Sequence, residues 1–233
     1  MEGKREEKEE KVGNILQVCN LFGIEQERVL AAFVFGSTVW GKQNAKDLDL
    51  FVIVEDEYFP LEGKVFHNKQ NVDICLYTLE TWKKGLENHN STFWVCKFLP
   101  SQFKWKQRVD VFGGVKLELS KLRASVSRER ERTVCKALHK LEERDVPKSK
   151  KCVRHALRDS LFAFQLVEHG RVVEWRPVEM ERFEKEIDEC ADEEWGEQLK
   201  KIWKPLLNNT FKNRLKKLIP QTSLVDHSHL YNK

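Results

Sequence analysis

The chain has 233 residues, 40% of them hydrophobic and 33% charged, with seven Trp and a formal net charge of +4. That length admits one large domain or two small ones, each with an ample core. No apolar run approaches the roughly 20 residues of a membrane span, so no membrane partner is expected.

Residues 1–11 are a mixed-charge run without the apolar segment of a signal peptide, read as a solvated helix extension or a frayed terminus. The six Cys, at 19, 75, 96, 135, 152 and 190, include no Cys-x-x-Cys pair. Reduced thiols, no zinc, and a cytosolic or nuclear location are the expectation. Val12, Ile15, Leu16, Cys19 and Phe22 recur at helical spacing, and Gly23 supplies the C-cap.

An apolar run over 31–35 then stops at Gly36-Ser37, and after a polar loop the chain re-enters an apolar run through Asp47-Leu48-Asp49. Side chains alternate along a strand, so Asp47 and Asp49 are expected on one face, about 7 Å apart. Carboxylates so placed can share divalent cations, and an all-oxygen ligand set suits Mg²⁺ or Mn²⁺. Gly36 allows a tight turn and close approach of the backbone to a ligand. A helix starting at Ser37 would add an anion seat of free N–H groups.

Residues 58–70 read as a loop broken by Pro60 and Gly63, with a short strand at 64–67. In Asn71-Val-Asp-Ile-Cys-Leu-Tyr77, Val72, Ile74 and Leu76 alternate onto a core face and leave Asp73 on the other. From a neighbouring strand about 4.8 Å away, Asp73 is the expected third carboxylate. A helix near 79–86 follows. Ser91 is the expected cap of a helix over 92–99, which Pro100 ends. The alternation Phe103-Lys-Trp-Lys-Gln-Arg reads as a half-buried strand with its Lys outward, or as a base-stacking surface.

Gly113-Gly114 marks the expected boundary between a domain over 1–114 and a helical one over 115–233. Helical periodicity runs from 116 to about 145, in one helix or two. Ser149 is read as the cap of the next helix, and Gly170 as its stop. Two more helices are expected over 178–191 and 194–218, the second interrupted at Pro205, before an aperiodic tail from 221. Residues 104–158 hold 17 Lys/Arg against 7 Asp/Glu. A basic middle beside an acidic metal site suits a polyphosphate or polynucleotide substrate. Lys151, His155 and Arg158 lie at i, i+4 and i+7, on one helix face.

Gly36-Ser37, then nine residues, then Asp47-x-Asp49, with Asp73 on a following strand, resembles the signature of the DNA polymerase β-type nucleotidyltransferase superfamily. Lys151-x-x-x-His-Ala-Leu-Arg158, an apolar helix and Glu168-His-Gly-Arg171 are similar to the C-terminal half of predicted nucleotidyltransferases linked to RNA ligation and repair. The resemblance spans about residues 30–215, and implies an α/β (α+β) fold with a mixed-sheet catalytic domain followed by an all-helical one. It implies that Asp47, Asp49 and Asp73 hold Mg²⁺ or Mn²⁺ and carry catalysis. It further implies that Gly36, Ser37, Lys151, His155 and Arg158 bind the nucleotide, an NTP such as ATP, for transfer to an acceptor such as RNA. The sequence departs from the common pattern at Thr38, where many members have Arg, and at Lys46, where Ser is frequent. A non-catalytic nucleotide sensor or RNA-binding protein on the same fold is the alternative, and a helical-domain ribonuclease a third reading.

Overall fold

A computed structural model of the protein describes residues 15–40, 47–58, 65–69 and 71–219. The expectations for the charged N-terminal run, for Pro60 and Gly63, and for the tail from 221 lie outside those residues. The chain divides into two compact units, residues 1–86 with 99–115, and residues 87–98 with 116–233.

The first unit is built on a five-stranded mixed sheet in the order β3-β4-β2-β1-β5. Its elements are α1 (Ile15–Phe22), β1 (Val29–Phe35), β2 (Leu48–Val54), β3 (Val65–Lys69), β4 (Val72–Thr78), α2 (Leu79–Glu87) and β5 (Lys104–Gln107). The apolar run of β1 is buried over Val29–Val34, and both its edges are paired, with β2 and β5, each antiparallel. β2 and β4 are parallel, and β3 returns antiparallel on the outer edge of β4. Asn71, at φ 63, makes the turn into β4, a left-handed position that Asn tolerates. β5 is the other edge strand. Lys104, Trp105 and Lys106 are all half-buried there, so the strand is present but its lysines do not stand further out than its Trp.

Trp82 of α2 lies over one face of the sheet. Its ring centroid is 5.8 Å from those of Phe33, Phe51 and Tyr77, and 6.1 Å from that of Phe112. Phe35 stacks on Phe51 at 3.7 Å, with the rings 3° from parallel. Phe51 shares its parity with Asp49 along β2, and Tyr77 shares its parity with Asp73 along β4. The aromatic floor and the two carboxylates therefore share one face of the sheet.

The second unit is helical: α3 (Ser91–Cys96), α4 (Leu119–Glu142), α5 (Val146–His169), α6 (Val178–Glu189), α7 (Trp195–Gln198) and α8 (Lys212–Leu218). Between α7 and α8 the chain stays helical but widens into π turns at Leu199–Trp203 and Leu206–Phe211, on either side of Pro205. Pro205 lacks an N–H, so the regular ladder cannot run through it.

Two expected caps are corrected. Asn90, not Ser91, caps α3, its side chain accepting from the N–H groups of Thr92 and Phe93. Asp145, not Ser149, caps α5 by accepting from the Lys148 N–H at 3.2 Å, with Pro147 in the first turn. Ser149 is buried instead. Its hydroxyl donates to the Ala137 carbonyl at 2.8 Å and accepts from the Trp195 indole N–H at 2.9 Å, tying α4, α5 and α7. Gly170 ends α5 at φ 68, as expected. Among the described residues no helix is long and apolar enough to cross a membrane.

Candidate functional site

The site lies where β1 ends and β2 and β4 begin. The register of β1 on β2 sets Phe35 opposite Asp49, so the next residue, Gly36, turns directly beside that carboxylate. Gly36 has φ +73, and a Cβ built on it would stand 1.9 Å from Asp49 Oδ2 and 2.8 Å from Cγ. Both the backbone angle and the contact therefore require glycine. The helix expected at Ser37 is a single 3₁₀ turn, Gly36–Thr38, in which the N–H groups of Val39 and Trp40 both go to the Gly36 carbonyl. A turn this short has no helix dipole to offer an anion. What remains is the half-buried Ser37, with its hydroxyl, beside the half-buried Gly36 and Thr38.

Asp49 and Asp73 are in-register neighbours on the parallel pair β2 and β4. Neighbouring strands lie about 4.8 Å apart, so the two carboxylates leave the sheet side by side, on the same face. Both are half-buried at the rim of the aromatic floor. Asp47 is placed differently. β2 begins at Leu48, whose N–H is pinned to the Asn71 carbonyl at 2.8 Å, and Asp47 lies in a bend before it. Strand alternation is imposed by the ladder, and the ladder stops one residue short of Asp47. Among the described residues no three His, Cys, Asp or Glu side chains are grouped to hold a metal ion. The pair Asp49 and Asp73 has the chemistry of a Mg²⁺ or Mn²⁺ site, with hard oxygens only and adjacent carboxylates.

In the helical unit the expected face of Lys151, His155 and Arg158 is divided between two jobs. Lys150, Arg154 and Arg158, spaced four apart on α5, pair with Asp192, Asp188 and Glu184 of α6 and the turn after it. The Arg158–Glu184 distance is 3.4 Å, and both side chains are nearly enclosed. Burial pulls the Arg158 guanidinium below its ordinary value, and the Asp159 and Glu184 carboxylates offset that only in part. Arg158 is thus a strut between helices, its charge already met.

Lys151 and His155 are exposed. Crowding by protein, then the positive charges of Arg158, Lys151, Lys136 and Arg154, push the His155 imidazole down to about 4. It is neutral at pH 7, and it marks the centre of a cationic patch. One helical turn further on, burial raises the Asp159 carboxyl to about 7, with Arg158 opposing the rise and Glu129 adding to it.

Neither the strut ladder nor Asp159 is legible from spacing alone, because both depend on which helix lies opposite. The one available signal was the acidic run of α6, which sits at matching intervals of four.

No protein-family model and no curated protein matches the chain. Among solved structures it is similar to a nucleotidyltransferase-like protein from Exiguobacterium sibiricum, at 13% identity and a TM-score of 0.29, over 83% of this chain and 67% of that one.

Proposed function

We propose that the protein is a metal-dependent nucleotidyltransferase of the polymerase β type. It moves a nucleoside monophosphate from an NTP to an acceptor hydroxyl, with RNA the favoured acceptor and pyrophosphate the leaving group. The observation that carries this reading is the contact of Gly36 with Asp49, with Asp73 in register beside it. A glycine turn, a carboxylate packed against it and a second carboxylate on the next parallel strand form one unit, which an ordinary surface turn has no reason to assemble.

Asp49 and Asp73 would hold Mg²⁺ or Mn²⁺, with Asp47 joining from the bend. When bound, the metal would neutralise the triphosphate and bring nucleophile and α-phosphorus together. The chain's own part is orientation. The Ser37 hydroxyl and the backbone at Gly36 meet phosphate oxygens, the aromatic floor keeps the carboxylates fixed, and Asp73 takes the proton of the attacking hydroxyl. In the helical unit, the exposed Lys151 and the neutral His155 offer one charge and one hydrogen bond to a polyanion, RNA or nucleotide. A place in RNA repair would follow from the resemblance of the α5 motif.

The second reading is a nucleotide-sensing or RNA-binding protein on the same fold. Asp47 standing apart from the other two carboxylates favours it, as does Thr38 after the Gly-Ser turn. Incubation with each α-labelled NTP, Mg²⁺ or Mn²⁺, and separate RNA, protein and small-molecule fractions separates the two. Metal-dependent label in any fraction supports transfer. Nucleotide binding with every fraction unlabelled supports the sensor.

A further inference from the structure

Arg130 sits in the middle of the buried stripe of α4. Leu122, Val126, Arg130 and Val134 recur every four residues, followed by Ala137, and all five are buried. Arg130 is only 3% exposed, and its Nε and Nη1 have no hydrogen-bond partner among the described residues. Burial lowers its affinity for the proton, and the one carboxylate that opposes this is Glu131, an exposed neighbour in the chain. Three other enclosed cations of this unit each have a carboxylate of their own: Lys150 has Asp192, Arg154 has Asp188 and Arg158 has Glu184.

A guanidinium does not deprotonate in a protein, so Arg130 is a fixed charge in an apolar stripe. Water can satisfy its N–H groups but leaves the charge unbalanced, whereas an anion does both. The orphaned atoms are donors only, so the missing partner is an acceptor. The enclosure of Arg130 restricts that partner to a compact ion. We propose that Arg130 is the anchor of an anion-binding site inside the helical unit, taking a small oxyanion of the phosphate class. Its occupancy does not depend on nucleotidyl transfer. The second π stretch packs against both α4 and α5 of this unit.

The test uses the full chain and two variants, Arg130→Met and Arg130→Lys, with sodium orthophosphate as probe and sodium chloride as control. Thermal unfolding of the wild type should shift upward by roughly 5–10 °C at saturating phosphate, against matched chloride. Phosphate also stabilises proteins by exclusion from their surfaces, so the decisive quantity is the difference between wild type and variant. Arg130→Met should lose that specific shift and, without phosphate, melt at or above the wild-type temperature, because a buried unbalanced charge has gone. Arg130→Lys keeps the charge without the Nε and Nη1 donors, and should bind labelled orthophosphate at least tenfold more weakly in equilibrium dialysis. Equal phosphate response in wild type and Arg130→Met overturns the proposal, as does a wild type that binds no orthophosphate. An Arg130→Met protein that melts well below wild type, or does not fold, also overturns it, since Arg130 would then be satisfied by the protein. AMP serves as a second probe. Arg130-dependent binding of AMP tighter than that of orthophosphate would contradict a compact-ion site.

Discussion

A single absent methyl group at Gly36 holds the carboxylate end of the site together. Gly36→Ala would place a side chain at φ +73 and drive it into the Asp49 carboxylate. Left-handed strain and overpacking cost about 1–3 kcal/mol each, or roughly 2–4 °C per kcal/mol at this chain length. Calorimetry should therefore show Gly36→Ala melting several degrees below wild type. Adding Asp49→Ala should recover part of that loss, because it removes the atoms at 1.9 and 2.8 Å. No recovery would mean that strain alone is responsible. A second residue-scale prediction concerns Asp159, raised to about 7 from an ordinary 3.8. Between those pH values the folded chain holds a proton that the unfolded chain has released, so this group's contribution to stability falls as pH rises. Asp159→Asn should thus gain on wild type progressively from pH 4 to 7 in denaturant titrations. His155, pushed to about 4, contributes in the opposite sense, with stability growing from pH 4 to about 6.5. A pH-independent difference between Asp159→Asn and wild type would show that Asp159 titrates normally.

At the level of elements, what could be read from the sequence was what each segment does alone. The apolar run before Gly36, the alternation around Asp73 and the stop at Gly170 all predict elements that are present. Local competition was harder to read. Asn90 and Ser91 are both capping residues, and it is Asn90 that keeps extended backbone before α3 and accepts from its first N–H groups. Asp47 was expected to alternate with Asp49, but the pairing that enforces alternation begins at Leu48. The ion pairs of α5 with α6 could not be read at all, since they depend on two helices lying antiparallel in one register. That reassignment has a measurable consequence at Arg158. Removing one partner of a mostly enclosed pair costs about 3–5 kcal/mol, while replacing both by apolar residues costs far less. Arg158→Met should lower stability clearly, and Arg158→Met with Glu184→Leu should restore most of it, with nucleotide affinity unchanged throughout. A drop in nucleotide affinity that the double variant does not repair would return Arg158 to the binding site.

For the molecule as a whole, the +4 net charge understates how unevenly charge is distributed, since residues 104–158 carry most of the excess cation. Three of those cations, Lys150, Arg154 and Arg158, are committed internally through the α5–α6 ladder, and Lys151 is among the exposed remainder. RNA affinity should fall with salt, and Lys151→Ala should flatten the log–log slope by about 0.7, the value for one lost contact to a single-stranded phosphate. An unchanged slope would remove Lys151 from any RNA surface. The central claim rests on the two in-register carboxylates, and pyrophosphate release during Mg²⁺ titration tests it most directly. With NTP and total cellular RNA, wild type should release pyrophosphate in proportion to acceptor. Asp49→Asn and Asp73→Asn, which keep volume but lose charge, should each fall at least 100-fold while retaining native circular dichroism and melting temperature. Undiminished release from either variant would contradict the account.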